Sequence, residues 1–266
     1  MKQKIVSNID PAWPNIEVIY NRPIDLYIDK LKGYVENTNY KILWVKEVDE
    51  ISNFKPKVLE SSHKFDLILT YDDEILNKCN NSIMFEFGTT WVFDYDHKKQ
   101  KKFSISHLTG NKSMTYGHRL RKEVYANQNM IKNPIDFYIS SAQPIPNTFN
   151  SKIIYDKKNE LFDSQFHICI ENSKQKNLFT EKLIDCLHTK TIPIFYGCDN
   201  IGDFFDTRGF YIVNNLDDII DVCNSLNENS YNDRIEYVNK NFELCLQYTH
   251  LLERLQTVLQ KKLSYG

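Results

Sequence analysis

The second half of the chain runs strand, helix, strand, and no other feature restricts the possible folds as much. FHICI (166–170) is a nearly continuous apolar run, and TEKLIDCLHT (180–189) carries apolar residues at 183, 184 and 187 behind a Thr-Glu-Lys opening. TIPIFYG (191–197) is a strand that ends on glycine, GFYIV (209–213) is another, and Asp217 to Leu226 has helical spacing. A strand that is apolar on both faces needs cover on both faces, which parallel sheets obtain from their crossover helices. The first half shows the same alternation. KILWVKEV (41–48), FDLILTY (65–71), SIMFEF (82–87), FSISHL (103–108) and DFYIS (136–140) read as strands. Ile24, Leu26, Ile28 and Leu31, and the stretch Asp72 to Lys78, read as helical connections. The expected class is α/β with mostly parallel sheets.

A chain of 266 residues suits two domains of about 130 residues. Pro, Ser and Asn gather in SSAQPIPNTFN (140–150), so the expected division is residues 1–140 and 141–266. The helical spacing from Tyr231 to Leu263 predicts a docked helix pair closing the second domain. With 41% hydrophobic and 13% aromatic residues the chain can fill two cores, which excludes a disordered polymer. The 33 basic and 35 acidic residues leave a net charge of −2, too little to hold the whole molecule on nucleic acid or an anionic membrane. Neither a signal-like start nor a run of ~20 apolar residues is present, so the expectation is a cytoplasmic protein. The six cysteines lack metal-ligand spacing and several lie in apolar runs, which predicts structural thiols and no metal site. Oligomeric state leaves no trace in the composition.

Ligands of open α/β sheets settle beyond the carboxyl ends of strands. FHICI is followed by Glu171, Asn172 and Ser173, then by Thr180, Glu181 and Lys182 at a helix start, where Thr180 is placed to cap. Upstream, from His97 to Asn133, nine Lys and Arg face one Glu, a local excess of +8. Arg is scarce here, with six against 27 Lys, and Arg119 and Arg121 both lie in this stretch. A forked guanidinium suits a doubly charged diphosphate. Lys98, Lys99, Lys101 and Lys102 read as a solvated basic face. His107 and His118 flank the basic loop as phosphate contacts or structural histidines. Trp91 and Tyr95 are either a sugar platform or core.

FHICIENSKQKNLFTEKLIDCLHTKTIPIFYG (166–197) resembles the signature of the family 10 fucosyltransferases, the α-1,3/4-fucosyltransferases. The resemblance covers about 50 residues, weakening through Asp203-Phe204-Phe205 and Gly209 to Val213. It implies a GT-B fold, two Rossmann-like domains facing a cleft, with GDP-fucose held by the C-terminal one. Glu181 and Lys182 fall on the family's Thr-Glu-Lys pair and would contact sugar, ribose or phosphate. Asn172, Ser173 and Thr180 belong to the same donor-binding set. Arg121, four residues before Tyr125, falls on the arginine that grips the donor diphosphate, with Arg119 in reserve.

The implied activity is inverting transfer of L-fucose from GDP-fucose to a hydroxyl of a glycan acceptor, with no tightly bound cofactor and no catalytic metal. Arg121 and Lys182 would stabilise the leaving diphosphate and Glu181 the sugar, while a carboxylate takes the acceptor proton. The family's Gly-Glu-Asn context for that base is absent, which leaves Glu86 or Asp73, or its neighbour Asp72, as base. Leu178 also stands where the family usually has Tyr. A different nucleotide sugar, or an inactive glycan- or nucleotide-binding subunit, are the alternatives. Glu181→Ala and Arg121→Ala are expected to abolish transfer with little change in thermal midpoint.

Overall fold

The computed structural model describes residues 2–4, 6–7, 17–31, 34–149 and 151–264. The chain divides into two units, Met1–Phe87 with His250–Gly266, and Gly88–Thr249. The first unit holds strands β1 (Lys2–Lys4), β2 (Val6–Ser7), β3 (Glu17–Ile19), β4 (Ile24–Ile28), β5 (Tyr40–Val45), β6 (Leu67–Thr70) and β7 (Ser82–Met84). Its helices are α1 (Asp49–Ser52), α2 (Lys55–Ser61) and α3 (Asp73–Lys78). β1 pairs with β3 antiparallel, and the other five form a parallel sheet in the order β2-β4-β5-β6-β7.

β5 is the middle strand, and its side chains alternate between two cores as the pleat requires. Ile42 and Trp44 pack with Leu26 and Leu69 on one face, Leu43 and Val45 with Phe54, Val58 and Ile75 on the other. Within the stretch from Ile24 to Leu31, residues Ile24–Ile28 form a strand and none form a helix. Positions 24, 26 and 28 repeat with period two, and β4 is sandwiched as a neighbour of β5.

The second unit contains β8 (Lys102–Thr109), α4 (Tyr116–Ala126), β9 (Ile135–Ser140), β10 (Lys152–Ile154), β11 (Ser164–Ile170), α5 (Glu181–His188), β12 (Ile192–Tyr196), β13 (Tyr211–Ile212), α6 (Leu216–Ser225) and α7 (Ile235–Thr249). All six strands are parallel, in the order β10-β9-β8-β11-β12-β13. Counted within this sheet the order is 3-2-1-4-5-6, the doubly wound arrangement whose crevice opens where the winding reverses, here between β8 and β11. α4 and α6 cover one face through Leu120, Val124, Ile219 and Ile220. α5 and α7 cover the other through Leu183, Ile184, Leu187 and Cys245. All six cysteines are buried and free.

Two expectations of organisation change. The boundary expected at residue 140 falls inside the second sheet, because β8 and β9 pair with each other and β8 with β11. The terminal helix pair is split between the units. α7 packs on α5, whereas α8 (Leu251–Ser264) sends Leu251, Leu255, Leu259 and Leu263 into the core of the first unit with Trp44 and Leu26.

Candidate active site

At the winding reversal of the second sheet, three chain segments meet: the start of α4, the loop after β11 and the start of α5. α4 begins with a capping box in which Thr115 Oγ1 accepts His118 N–H at 3.3 Å and His118 Nδ1 accepts Thr115 N–H at 3.3 Å. Gly117 lets this helix end touch the β11 loop. Its N–H donates to the Asn172 carbonyl at 3.0 Å, and a Cβ there would lie 1.9 Å from the Glu171 carbonyl oxygen.

One turn along, Arg121 reaches back to the same loop, donating from Nη1 to the Ile170 carbonyl at 2.8 Å and from Nη2 to Asn172 Oδ1 at 2.7 Å. Burial draws its guanidinium below the ordinary value, while Glu171 and Glu181 act to keep it charged. His107 Nε2 lies 2.9 Å from the Arg121 carbonyl, so this histidine anchors α4 within the core.

Glu171 is fully buried and ties the loop to α5, accepting Thr180 N–H at 2.8 Å and the Thr180 hydroxyl at 2.7 Å. Thr180 in turn caps α5 by accepting Lys182 N–H. Lys182 Nζ lies 3.1 Å from Glu181 Oε1, 3.5 Å from Glu171 Oε2 and 3.0 Å from Thr180 Oγ1. Burial alone would raise the Glu181 carboxyl, but Lys182 and Lys158 outweigh it and hold the group at about 2. His118 reports the field here. Burial and then Arg121, Lys112, Lys182 and Arg119, all cations, push it down to about 4. Two helix N-termini and an excess of cations at one strand edge form a place for an anion.

Residues 97–257, which include the whole cluster, match the model of glycosyltransferase family 10 (fucosyltransferase), C-terminal part. The chain belongs to glycosyltransferase family 10. An α-(1,3)-fucosyltransferase, FucT, of Helicobacter pylori is 29% identical over 115 residues, which is 40% of this chain and 24% of that protein. Among solved structures, TarM superposes with a TM-score of 0.60 at 14% identity, covering 89% of this chain and 54% of TarM. An α1,3-fucosyltransferase crystallised with GDP-fucose superposes at 0.51 and 16% identity, covering 89% of this chain and 78% of that one. At these identities the likeness is one of fold, and with two parallel-sheet α/β units this family 10 chain has the GT-B architecture.

Of the residues singled out from the sequence, Arg121, Asn172, Thr180, Glu181 and Lys182 come together, with Ser173 buried in the same loop. Arg119 does not join them, because its exposed side chain bonds the Ser113 carbonyl instead. Leu178, at the family's usual tyrosine position, is buried, as is Phe179. An exposed ring at the same strand edge is instead Tyr116, the first residue of α4, 5.5 Å from the Tyr196 ring. Glu86 and Asp73 belong to the first unit, Glu86 following the edge strand β7 and Asp73 opening α3. Asp72 is taken up as the cap of α3 and by Lys55 at 2.8 Å.

Glu47, after the middle strand β5, is a carboxylate that escaped the sequence reading. It follows Lys46, which pairs with Asp29 at 3.3 Å, and its Oε1 accepts the N–H of its neighbour Val48 at 3.2 Å. Lys158 was missed, and Glu171, though noted after FHICI, was given no role, since a charged residue near a strand end carries no sign of its burial. Lys101 is not part of a solvated face. Its Nζ donates to Tyr95 Oη, the Phe162 carbonyl and Thr191 Oγ1, and burial pulls it down to about 7.

Proposed function

We propose that this family 10 protein is an inverting glycosyltransferase that moves L-fucose from GDP-fucose to a hydroxyl of a glycan acceptor. The observation that carries the reading is the cluster at the winding reversal, where Arg121, Lys182 and Lys158 gather around Glu171 and Glu181 between two helix N-termini. Attack of an alcohol on the anomeric carbon leaves negative charge on the departing diphosphate. Cations and N–H groups fixed in advance at that place stabilise it without reorganising. Glu181, ionised over the whole working range, is suited to bond sugar or ribose hydroxyls and to complement positive charge on the ring, and it is unsuited to hold a proton. Tyr116 offers a face on which the base can stack.

The acceptor hydroxyl also needs a group to take its proton. Glu86 and Asp73 keep that role as candidates, and Glu47 joins them because β5 is the central strand of its sheet. Support for GDP-fucose as donor comes from the family and from the fucosyltransferase that carries it in the crystal.

Calorimetry with GDP, UDP, ADP and CMP tests the site. GDP should bind most tightly, and Arg121→Ala should weaken it by at least a hundredfold. No heat with any of the four, or unchanged affinity in the variant, removes the reading. Glu47→Gln, Asp73→Asn and Glu86→Gln, assayed for GDP release with acceptor, identify the base as the one variant that loses turnover while keeping GDP affinity.

A further inference from the structure

The second unit presents an aromatic surface that the nucleotide site leaves unused. The chain around Trp91 is pinned from beneath. Thr90 Oγ1 and Trp91 N–H both donate to Asp185 Oδ1, at 2.8 and 2.7 Å, and Val92 N–H donates to Thr90 Oγ1 at 3.2 Å. Thr90 and Val92 are fully buried, yet Trp91 is 57% and Phe93 59% exposed. A well-fixed backbone thus presents two large, half-exposed rings close together in the chain.

The surroundings of Trp91 narrow what it can receive. Lys158 Nζ sits 4.1 Å from the Trp91 ring centroid and also interacts with Glu181 and Asp185, so a single lysine links the indole to the donor cluster. Asp185 lies one helical turn after Glu181 on α5, which puts the Trp91 backbone beside that cluster as well. Beyond the ring, Asp94 bonds Lys157 Nζ at 3.0 Å and Asn159 Nδ2 at 2.9 Å. Aromatic surface bordered by a carboxylate, an amide and ammonium groups matches one ligand class. A sugar ring lays its C–H face on an indole while its hydroxyls exchange hydrogen bonds with the polar rim. Tyr95, the other ring considered for this part, is buried with its hydroxyl on the Phe162 carbonyl, and takes no part.

We propose that Trp91, flanked by Lys158 and the Asp94–Asn159 pair, is the platform that receives the acceptor glycan, stacking one neutral sugar ring beside Glu181. This rests on the glycosyltransferase reading, which requires a second substrate next to the donor.

The test uses the full chain on a printed array of neutral and acidic glycans. The best-retained glycan is then followed by saturation-transfer NMR, with GDP affinity measured in parallel by calorimetry. Trp91→Ala should weaken glycan binding at least tenfold and abolish saturation of the ring C–H protons. Trp91→Phe should recover most of it, and GDP affinity should stay within twofold in both. A wild-type chain that retains no glycan, or a Trp91→Ala variant that binds glycan as the wild type does, overturns the platform and leaves the nucleotide reading standing. Joint loss of glycan and GDP binding in Trp91→Ala overturns it too, since the ring would then support the donor site or the fold. Glycan binding through Trp91 in a chain that binds no nucleoside diphosphate sinks the donor reading alone.

Discussion

Asp185 sits beneath the Trp91 segment at 1% exposure, and burial raises its carboxyl to about 7, with Glu181 pushing the same way and the Trp91 N–H and Thr90 hydroxyl opposing. The folded protein therefore keeps a proton that the unfolded chain, with a carboxyl near ~3.9, has released. Stability declines as pH rises through the window from about 4 to about 7 and is flat above it. Asp185→Asn keeps the Oδ1 acceptor and removes the ionisation. Urea denaturation at pH 5 and pH 8 should show this variant losing less stability between them, and at pH 8 exceeding the wild type by on the order of 1–3 kcal/mol. Equal slopes in the two proteins would exclude Asp185 as the source. Arg121 shows a second consequence of burial. Because its guanidinium lies between the Ile170 carbonyl, Asn172 and two carboxylates, Arg121→Ala should lower the thermal midpoint as well as nucleotide affinity. The expectation of an unchanged midpoint gives way, since stranding a buried charge costs about 3 kcal/mol.

At the scale of elements, the β11–α5–β12 unit was readable because each of its signals is local. The apolar run, the Thr180 cap with its acidic first turn, and the closing glycine are all contiguous in the chain. The junction of α4 with the β11 loop was not, because it depends on an absent side chain. Gly117 has no strain in its backbone to betray it, only the Glu171 carbonyl where a Cβ would go. Gly117→Ala should push α4 off the loop, costing about 1–3 kcal/mol in chemical denaturation and displacing Arg121 enough to weaken GDP at least tenfold. Wild-type affinity in that variant would show that the loop yields freely. β4 was misread for the opposite reason. Four apolar residues at 24, 26, 28 and 31 satisfy a strand over their first three members and a helix only loosely, and the choice was made by pairing with β5 along five residues.

At the scale of the whole molecule, the last helix belongs to the first unit although it is furthest from it in sequence. Leu255 and Leu259 are fully buried against Ile42, Trp44 and Leu69, so the core of residues 17–87 is incomplete without α8. Leu255→Ala should destabilise the protein by about 2–5 kcal/mol. Hydrogen exchange should show the lost protection concentrated in β4, β5 and β6, and protection lost uniformly in β8 to β12 instead would contradict the assignment.

The sequence by itself determined the α/β class, the parallel strands, the cap of α5, and the family, because these depend on residues close together in the chain. It also brought out Arg121, Glu181 and Lys182 through a family resemblance and a scarcity of arginine. Tertiary structure alone decided that the units part at Phe87, that α8 returns, that Lys101, Glu171 and Asp185 are buried, and that Arg119 points away while Arg121 points in. Each of those outcomes is set by which side of a packed surface a residue reaches, and a charged side chain has the same letter whether water or another charge surrounds it.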